Sequence, residues 1–126
     1  MMEQALRLAG FTGVESMDGV IYARSNPAWP EFTATPAGER WLLALAWPVR
    51  ATEAQIAGWT ALHPDAPMDI NQGETRITLL ALPQAEPLQR WAALTEAMVG
   101  KCVEWRRATR QRDEGMCVAF ALEFIQ

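Results

Sequence analysis

The sequence contains few of the residues that most catalytic and metal sites require. Its 126 residues include one histidine, His63, and two cysteines, Cys102 and Cys117. A single histidine excludes the zinc signatures that need two, and it leaves one candidate base for a serine or cysteine triad. The glycines also match neither phosphate-cradling pattern. We therefore expect no metal, no cofactor and no catalytic constellation.

Long apolar runs and an excess of positive charge are also missing. No apolar run approaches the roughly 20 residues that span a bilayer, and acidic and polar residues interrupt the N-terminal stretch, so no secretory signal is expected. Without export, the two cysteines are expected to be reduced core residues. The net charge of -4 argues against a nucleic-acid surface, because phosphate binding draws on clustered cations. These absences favour a cytoplasmic protein that binds neither membrane nor nucleic acid.

The residues that are present predict one domain over 1–126 with three helices. Half of the residues are hydrophobic, which is a globular composition. Residues 2–9 form a short helix that ends at Gly10. A second helix begins at Thr52, where Gln55 completes a capping box, and it ends at His63 before a proline. The third and longest starts at Leu88, and its apolar residues recur at spacings of three and four as far as Trp105.

Five segments have the composition of strands: 20–24, 31–35, 40–47, 68–71 and 74–82, the last two joined by a hairpin turn at Gly73. Residues 10–19 are expected to form a connection. The segment 116–126 alternates apolar residues and is predicted to be an additional strand, although its Ala, Leu and Glu also permit a helix. The fold class is therefore α+β, in the order α-β-β-β-α-β-β-α, with a single antiparallel sheet of about five strands and helices on one face.

The strand at 40–47 is apolar on both faces. One face carries Trp41, Leu43, Leu45 and Trp47, and the other carries Leu42, Ala44 and Ala46. A sheet with helices on one side usually has a polar second face, so something else should cover this one: a crossing helix, the C-terminal segment or a second subunit. We expect a homodimer, with Trp41, Leu43, Leu45 and Trp47 as partner-binding residues. The alternative is that these four belong to the core.

The strongest local charge is an arginine cluster near the end of the long helix, formed by Arg106, Arg107, Arg110 and Arg112. As an anion-binding site it would hold a phosphate or an acidic partner, but the helix dipole alone also favours cations there. A rival function follows from this cluster. A small-molecule-binding domain or enzyme would have a pocket between sheet and long helix, with Arg90 or Arg106 for an anionic ligand and His63 or Cys102 for chemistry.

The element order resembles that of the type III secretion chaperones and of the related bacterial sensory-transduction-regulator family. The resemblance is carried by the helix ending at Gly10, the strands around Ile21, Phe32 and Leu43, the helix from Thr52 to His63, the hairpin at Gly73 and the helix from Leu88. It covers nearly the whole chain. It implies a non-enzymatic, chaperone-like homodimer that binds an extended client segment on an apolar surface by side-chain pockets and strand addition.

Overall fold

The computed structural model describes the backbone of residues 1–125 and the side chains of residues 1–110. Within the described backbone there are three helices and six strands. The helices are α1 (Met2–Leu8), α2 (Glu53–Leu62) and α3 (Ala85–Ile125). The strands are β1 (Thr12–Met17), β2 (Val20–Arg24), β3 (Phe32–Ala37), β4 (Arg40–Trp47), β5 (Met68–Asn71) and β6 (Glu74–Ala81).

The strands form one open antiparallel sheet in the order β1-β2-β3-β4-β6-β5. The first four strands follow each other as a meander. The chain then leaves β4, forms α2 and returns through the β5–β6 hairpin, so that β6 pairs with β4. The predicted α+β class with helices and an antiparallel sheet is confirmed.

The sheet has one more strand than the sequence predicted. Residues 12–17 form the edge strand β1, where a connection was expected, and β1 pairs with β2 with a register shift between Thr12 and Glu15. The segment reads TGVESM, which is poor in β-branched and aromatic residues, so propensity gave no indication of a strand. Asp18 and Gly19, both with positive φ, make the tight turn into β2. An Asp-Gly pair is a strong hairpin signal, and it was the usable clue.

The C-terminal strand predicted at 116–126 is wrong for the backbone that the structure describes, because α3 continues without a break to Ile125. Gln126 lies outside the described residues. Extending an existing helix costs less than starting a new element, and after Pro87 no proline stops this one. Gly100 and Gly115 weaken a helix by only about 1 kcal/mol each. The alternation of apolar residues in this segment therefore did not make it a strand, and it extends α3 instead.

The core lies between the sheet and α3. Buried strand residues include Phe32, Leu43, Leu45 and Ile77, and the buried stripe of α3 consists of Leu88, Trp91, Leu94, Thr95, Met98 and Cys102. The ring of Phe32 makes edge contacts with Phe11, at 5.2 Å between centroids, and with Trp91, at 5.6 Å. We call the face of the sheet that packs on α3 the closed face and the other the open face.

A buried threonine fixes where α2 begins. The Thr75 hydroxyl accepts a hydrogen bond from the Ala51 N–H at 2.9 Å and donates one to the Val49 carbonyl. The next residue, Thr52, accepts from the Gln55 N–H and donates its own N–H to the Gln55 side chain, which is the capping box predicted from the sequence. Because Thr75 lies on β6, it ties the start of α2 to the centre of the sheet.

Candidate functional site

The four partner-binding residues predicted on β4 point towards the closed face. Leu43 is 0% exposed and Leu45 is 2% exposed, so both lie in the core. Trp41 and Trp47 are half-buried and pack against the same core. This placement corresponds to the core alternative for the two leucines, and within a single chain it leaves only the rims of the two tryptophans accessible.

The apolar surface of the sheet lies instead on the open face. Leu42 of β4 is directly opposite Leu80 of β6, and Ala44 is opposite Thr78. Leu80 is 51% exposed, and Leu42 and Ala44 are half-buried. We define the open-face patch as Leu42, Ala44, Ala46, Thr78 and Leu80. Within residues 1–110, the buried residues of all three helices belong to the core on the closed face, so no helix of that part of the chain packs over this patch.

Charged groups stand at the ends of the open-face patch and not within it. Arg40 lies where β4 begins. At the other end Arg76 forms a two-pronged ion pair with Asp69, with N–O distances of 3.0 and 2.8 Å. On the neighbouring strand β3 the open face carries Thr33 and Thr35, which pair with Ala44 and Leu42. The patch is therefore an apolar strip with a hydroxyl-bearing flank and charged ends.

A second candidate site is a cleft between α2 and α3, with a volume of about 270 Å³. Its lining residues come from the two helices and the end of α2: Gln55, Gly58, Trp59, Leu62, His63, Ala97, Lys101 and Trp105. The pocket was predicted between the sheet and the long helix. This cleft instead lies between α2 and α3, because α2 supplies the wall opposite α3. The sequence gives no sign of this pairing, because no local pattern relates α2 to residues 97–105.

His63, a candidate for chemistry, and Arg90, a candidate for holding an anionic ligand, are in contact. The Arg90 guanidinium donates to Nδ1 of His63 at 3.1 Å and to both carboxylate oxygens of Asp65 at 3.1 Å. The hydrogen bonds from Arg90 hold the pKa of the Asp65 carboxyl below its usual value, and those same bonds raise the pKa of Arg90. The charge of Arg90 is therefore already balanced, which makes it a poor holder for an anionic ligand.

Two of the four arginines in the predicted cluster come together with a residue that the sequence did not suggest, and the side chain of Arg112 lies outside the described residues. Arg106 and Arg110 line a shallow cleft with Arg50 and Thr109, whereas Arg107 is not part of its lining. Arg106 and Arg110 are one helical turn apart, as their spacing requires. Arg50 comes from the connection after β4, so only the tertiary fold brings it here. Anion binding at these arginines stays a prediction.

Cys102, the remaining candidate for chemistry, is fully buried in the core. Burial raises the pKa of the Cys102 thiol to about 11, an effect that the nearby charge of Arg106 only partly opposes. Because the thiolate is the nucleophile, we expect Cys102 to be inert. The side chain of Cys117 lies outside the described residues.

In a Cys117→Ser variant, which leaves Cys102 as the single thiol, we expect a disulfide reagent to label almost nothing in the folded state. The reason is that the thiol is both buried and protonated near neutral pH. The same variant in concentrated guanidinium chloride is the control and should label fully. Fast labelling without denaturant would show that Cys102 is accessible and would restore it as a candidate nucleophile.

The chain matches no known family, and the side chains that the structure describes form no metal-ligand cluster. Protein-family models, curated proteins and solved structures were each compared with the chain, and none of them matches. Among the side chains that the structure describes, no three His, Cys, Asp or Glu residues lie together as metal ligands would. Along the described part of the chain, no helix is long and apolar enough to cross a bilayer. The open-face patch and the α2–α3 cleft are therefore judged on their own chemistry.

Proposed function

We propose that this protein is a non-enzymatic, chaperone-like protein-binding domain that acts as a homodimer, and that the open-face patch is its protein contact surface. The observation that supports the proposal is the pair of facing leucines, Leu42 and Leu80, on an uncovered sheet face. The resemblance to type III secretion chaperones implies the same kind of assembly. A client segment would then be held on apolar surface of the same domain.

The chemistry of the patch favours contact with protein over permanent exposure to water. Its five residues carry no charge, and four of them are apolar. Removing such a surface from water is favourable by about 25 cal/mol per Å² of apolar area. The centre of protein interfaces is depleted of charged residues, whereas the rim is polar. The arrangement of Leu42 and Leu80 between the charged ends at Arg40 and Arg76 has this form.

The size of the open face suits a second copy of the same chain. Six strands about 4.8 Å apart, with central strands of eight residues rising about 3.3 Å each, give a face of roughly 600 Å². Stable interfaces bury about 800 Å² per partner, with a lower limit near 600 Å². In a two-fold dimer the patch of one subunit contacts the same patch of the other. Because the open-face patch is apolar and uncharged, two copies can pack together without repulsion between like charges.

The test is the oligomeric state of charged variants of the patch. Wild-type protein is expected to sediment as a dimer at micromolar concentration. Leu80→Arg and Leu42→Arg should each shift it to monomer while the far-ultraviolet circular dichroism stays close to that of wild type, because neither side chain belongs to the buried core of the single chain. Introducing an unpaired charge at the centre of an interface opposes association strongly.

The matched control is Leu8→Arg, which places the same change on an exposed leucine of α1, away from the open face. This variant should remain dimeric. A wild-type protein that stays monomeric across the micromolar range would contradict the proposed dimer. So would a dimer that dissociates equally in Leu8→Arg and Leu80→Arg, since the effect would then not be specific to the open-face patch.

A further inference from the structure

We propose a second binding function, separate from the open-face patch: the cleft between α2 and α3 binds a small carboxylate that carries an aromatic or other apolar body. The cleft has apolar walls, and its polar side chains include the Lys101 ammonium and N–H groups of His63 and Gln55. A positive charge beside hydrogen-bond donors favours a ligand whose polar end is an anionic acceptor. Neither the fold nor the proposed dimer requires this cleft.

The walls of the cleft are apolar and largely aromatic. Trp59 and Leu62 come from α2, and Ala97 and Trp105 come from α3. Leu62 is 72% exposed, and Trp105 is half-buried at the opposite side, so the single chain leaves both available to a ligand. Aromatic walls favour flat apolar groups, which they contact by stacking or by edge contacts.

His63 presents a donor because its contact with Arg90 fixes the tautomer. A guanidinium N–H donates and never accepts, so Nδ1 of His63 is the acceptor in this hydrogen bond. In this arrangement Nε2 is the ring nitrogen that carries a proton. The ring also lies 4.3 Å from the ring of Trp59, centroid to centroid, which holds its orientation beside the cleft. The Nε2–H group is thus a positioned donor on the α2 side.

Gln55 and Lys101 supply further donors to the lining. The Gln55 Oε1 is occupied by the Thr52 N–H in the capping box, so the Gln55 amide group offers its NH₂. Trp59 is not available as a donor, since its Nε1 already donates to the Ala66 carbonyl. Lys101 supplies the positive charge, and its one ion pair among the described residues, with Glu104, is long at 3.7 Å and exposed. Such surface pairs are weak, so Lys101 is free to pair with a carboxylate.

The volume limits the ligand to a small molecule. About 270 Å³ lies just below the usual range for ligand pockets, roughly 300–1,000 Å³. A one- or two-ring aromatic acid fits this space, whereas a nucleotide or a long acyl chain does not. Indole-3-propionate is therefore a suitable probe, with its apolar ring for the walls and its carboxylate for the donors.

The first experiment is calorimetric titration of the full chain with indole-3-propionate and with tryptamine, which has the same ring but a cationic end. We expect indole-3-propionate to bind at least about tenfold more tightly, because a charged acceptor gains the hydrogen bonds that a cation cannot make. Lys101→Met should weaken binding of the carboxylate while leaving the uncharged indole-3-propionamide nearly unchanged. Equal binding of acid and amine, or no binding of the acid at all, would overturn the proposal.

The second experiment locates the site. Ala97→Leu places three extra carbons in the cleft from an exposed helix position, so it should abolish binding without harming the fold. Its control is Ala57→Leu, the same change at an exposed position of α2 outside the lining, which should bind like wild type. If Arg106→Gln or Arg110→Gln removes binding and Ala97→Leu does not, the acid occupies the arginine cleft and the proposal is wrong. The monomeric variant Leu80→Arg should still bind, which separates this function from dimer formation.

Discussion

Replacing Trp91 with alanine is expected to lower the free energy of unfolding by about 3–5 kcal/mol, the range found for deleting a buried tryptophan or phenylalanine side chain. Trp91 is 0% exposed and is the largest fully buried side chain among those described. It joins α3 to β3 through its edge contact with Phe32. The loss leaves a cavity between the sheet and α3 that the rigid strands cannot close. Urea denaturation followed by circular dichroism measures the loss in free energy of unfolding.

Trp91→Phe is the informative companion to this variant. The indole Nε1 of Trp91 is buried and has no hydrogen-bond partner in the part of the chain that the structure describes. Phenylalanine removes part of the ring, which lowers stability, and it also removes the unsatisfied donor, which raises stability. The two effects partly cancel. We expect Trp91→Phe to lose less than half as much stability as Trp91→Ala. Equal losses would mean that the indole N–H contributes a bond in solution.

Replacing Thr75 with valine is expected to cost about 1–3 kcal/mol, because it leaves the Ala51 N–H without its acceptor in a buried place. Valine keeps the shape of threonine, so packing changes little. The loss should be concentrated at the start of α2, where Thr52 caps the helix. Amide hydrogen exchange measures this directly: the Ala51 amide should exchange much faster in the variant than in wild type.

Thr75→Ser is the control for this prediction, because it keeps the hydroxyl and removes only a methyl group. Its Ala51 amide should retain slow exchange. If Thr75→Val protects Ala51 as well as wild type does, the hydrogen bond from Ala51 to Thr75 does not hold the start of α2, and the expected loss of stability has another cause. A loss of exchange protection spread evenly over all amides would also show that the effect of Thr75→Val is not specific to the start of α2.

Local signals in the sequence predicted most of the elements. The capping box of Thr52 and Gln55 marked the start of α2, and Gly73 marked the β5–β6 turn, because each depends on residues a few positions apart. Strand β1 was missed because its composition is atypical, although its turn at Asp18 and Gly19 has a local signature. The strand predicted for residues 116–126 was wrong because the local signal there is ambiguous: the alternation of apolar residues fits a strand, and the residue types also fit a helix.

The candidate sites were harder to predict because they depend on which face of an element is covered. The alternation in β4 separates Leu43 and Leu45 from Leu42 and Ala44, but periodicity alone cannot say which set packs on a helix. The set predicted to bind a partner was the one with Trp41 and Trp47, and in the structure that set faces the core. The contacts between His63 and Arg90, and between Arg50 and the arginines of α3, join residues far apart in sequence. No local pattern encodes them.

The two edges of the sheet restrict how copies of this protein can aggregate. At one edge, β1 has a register shift and Gly13 has a φ of +61°, so the strand cannot offer a regular row of backbone groups. At the other, β5 has four residues and carries the charged Asp69. Short, irregular or charged edges resist edge-to-edge growth. Fibre formation by edge-to-edge addition of strands is therefore disfavoured.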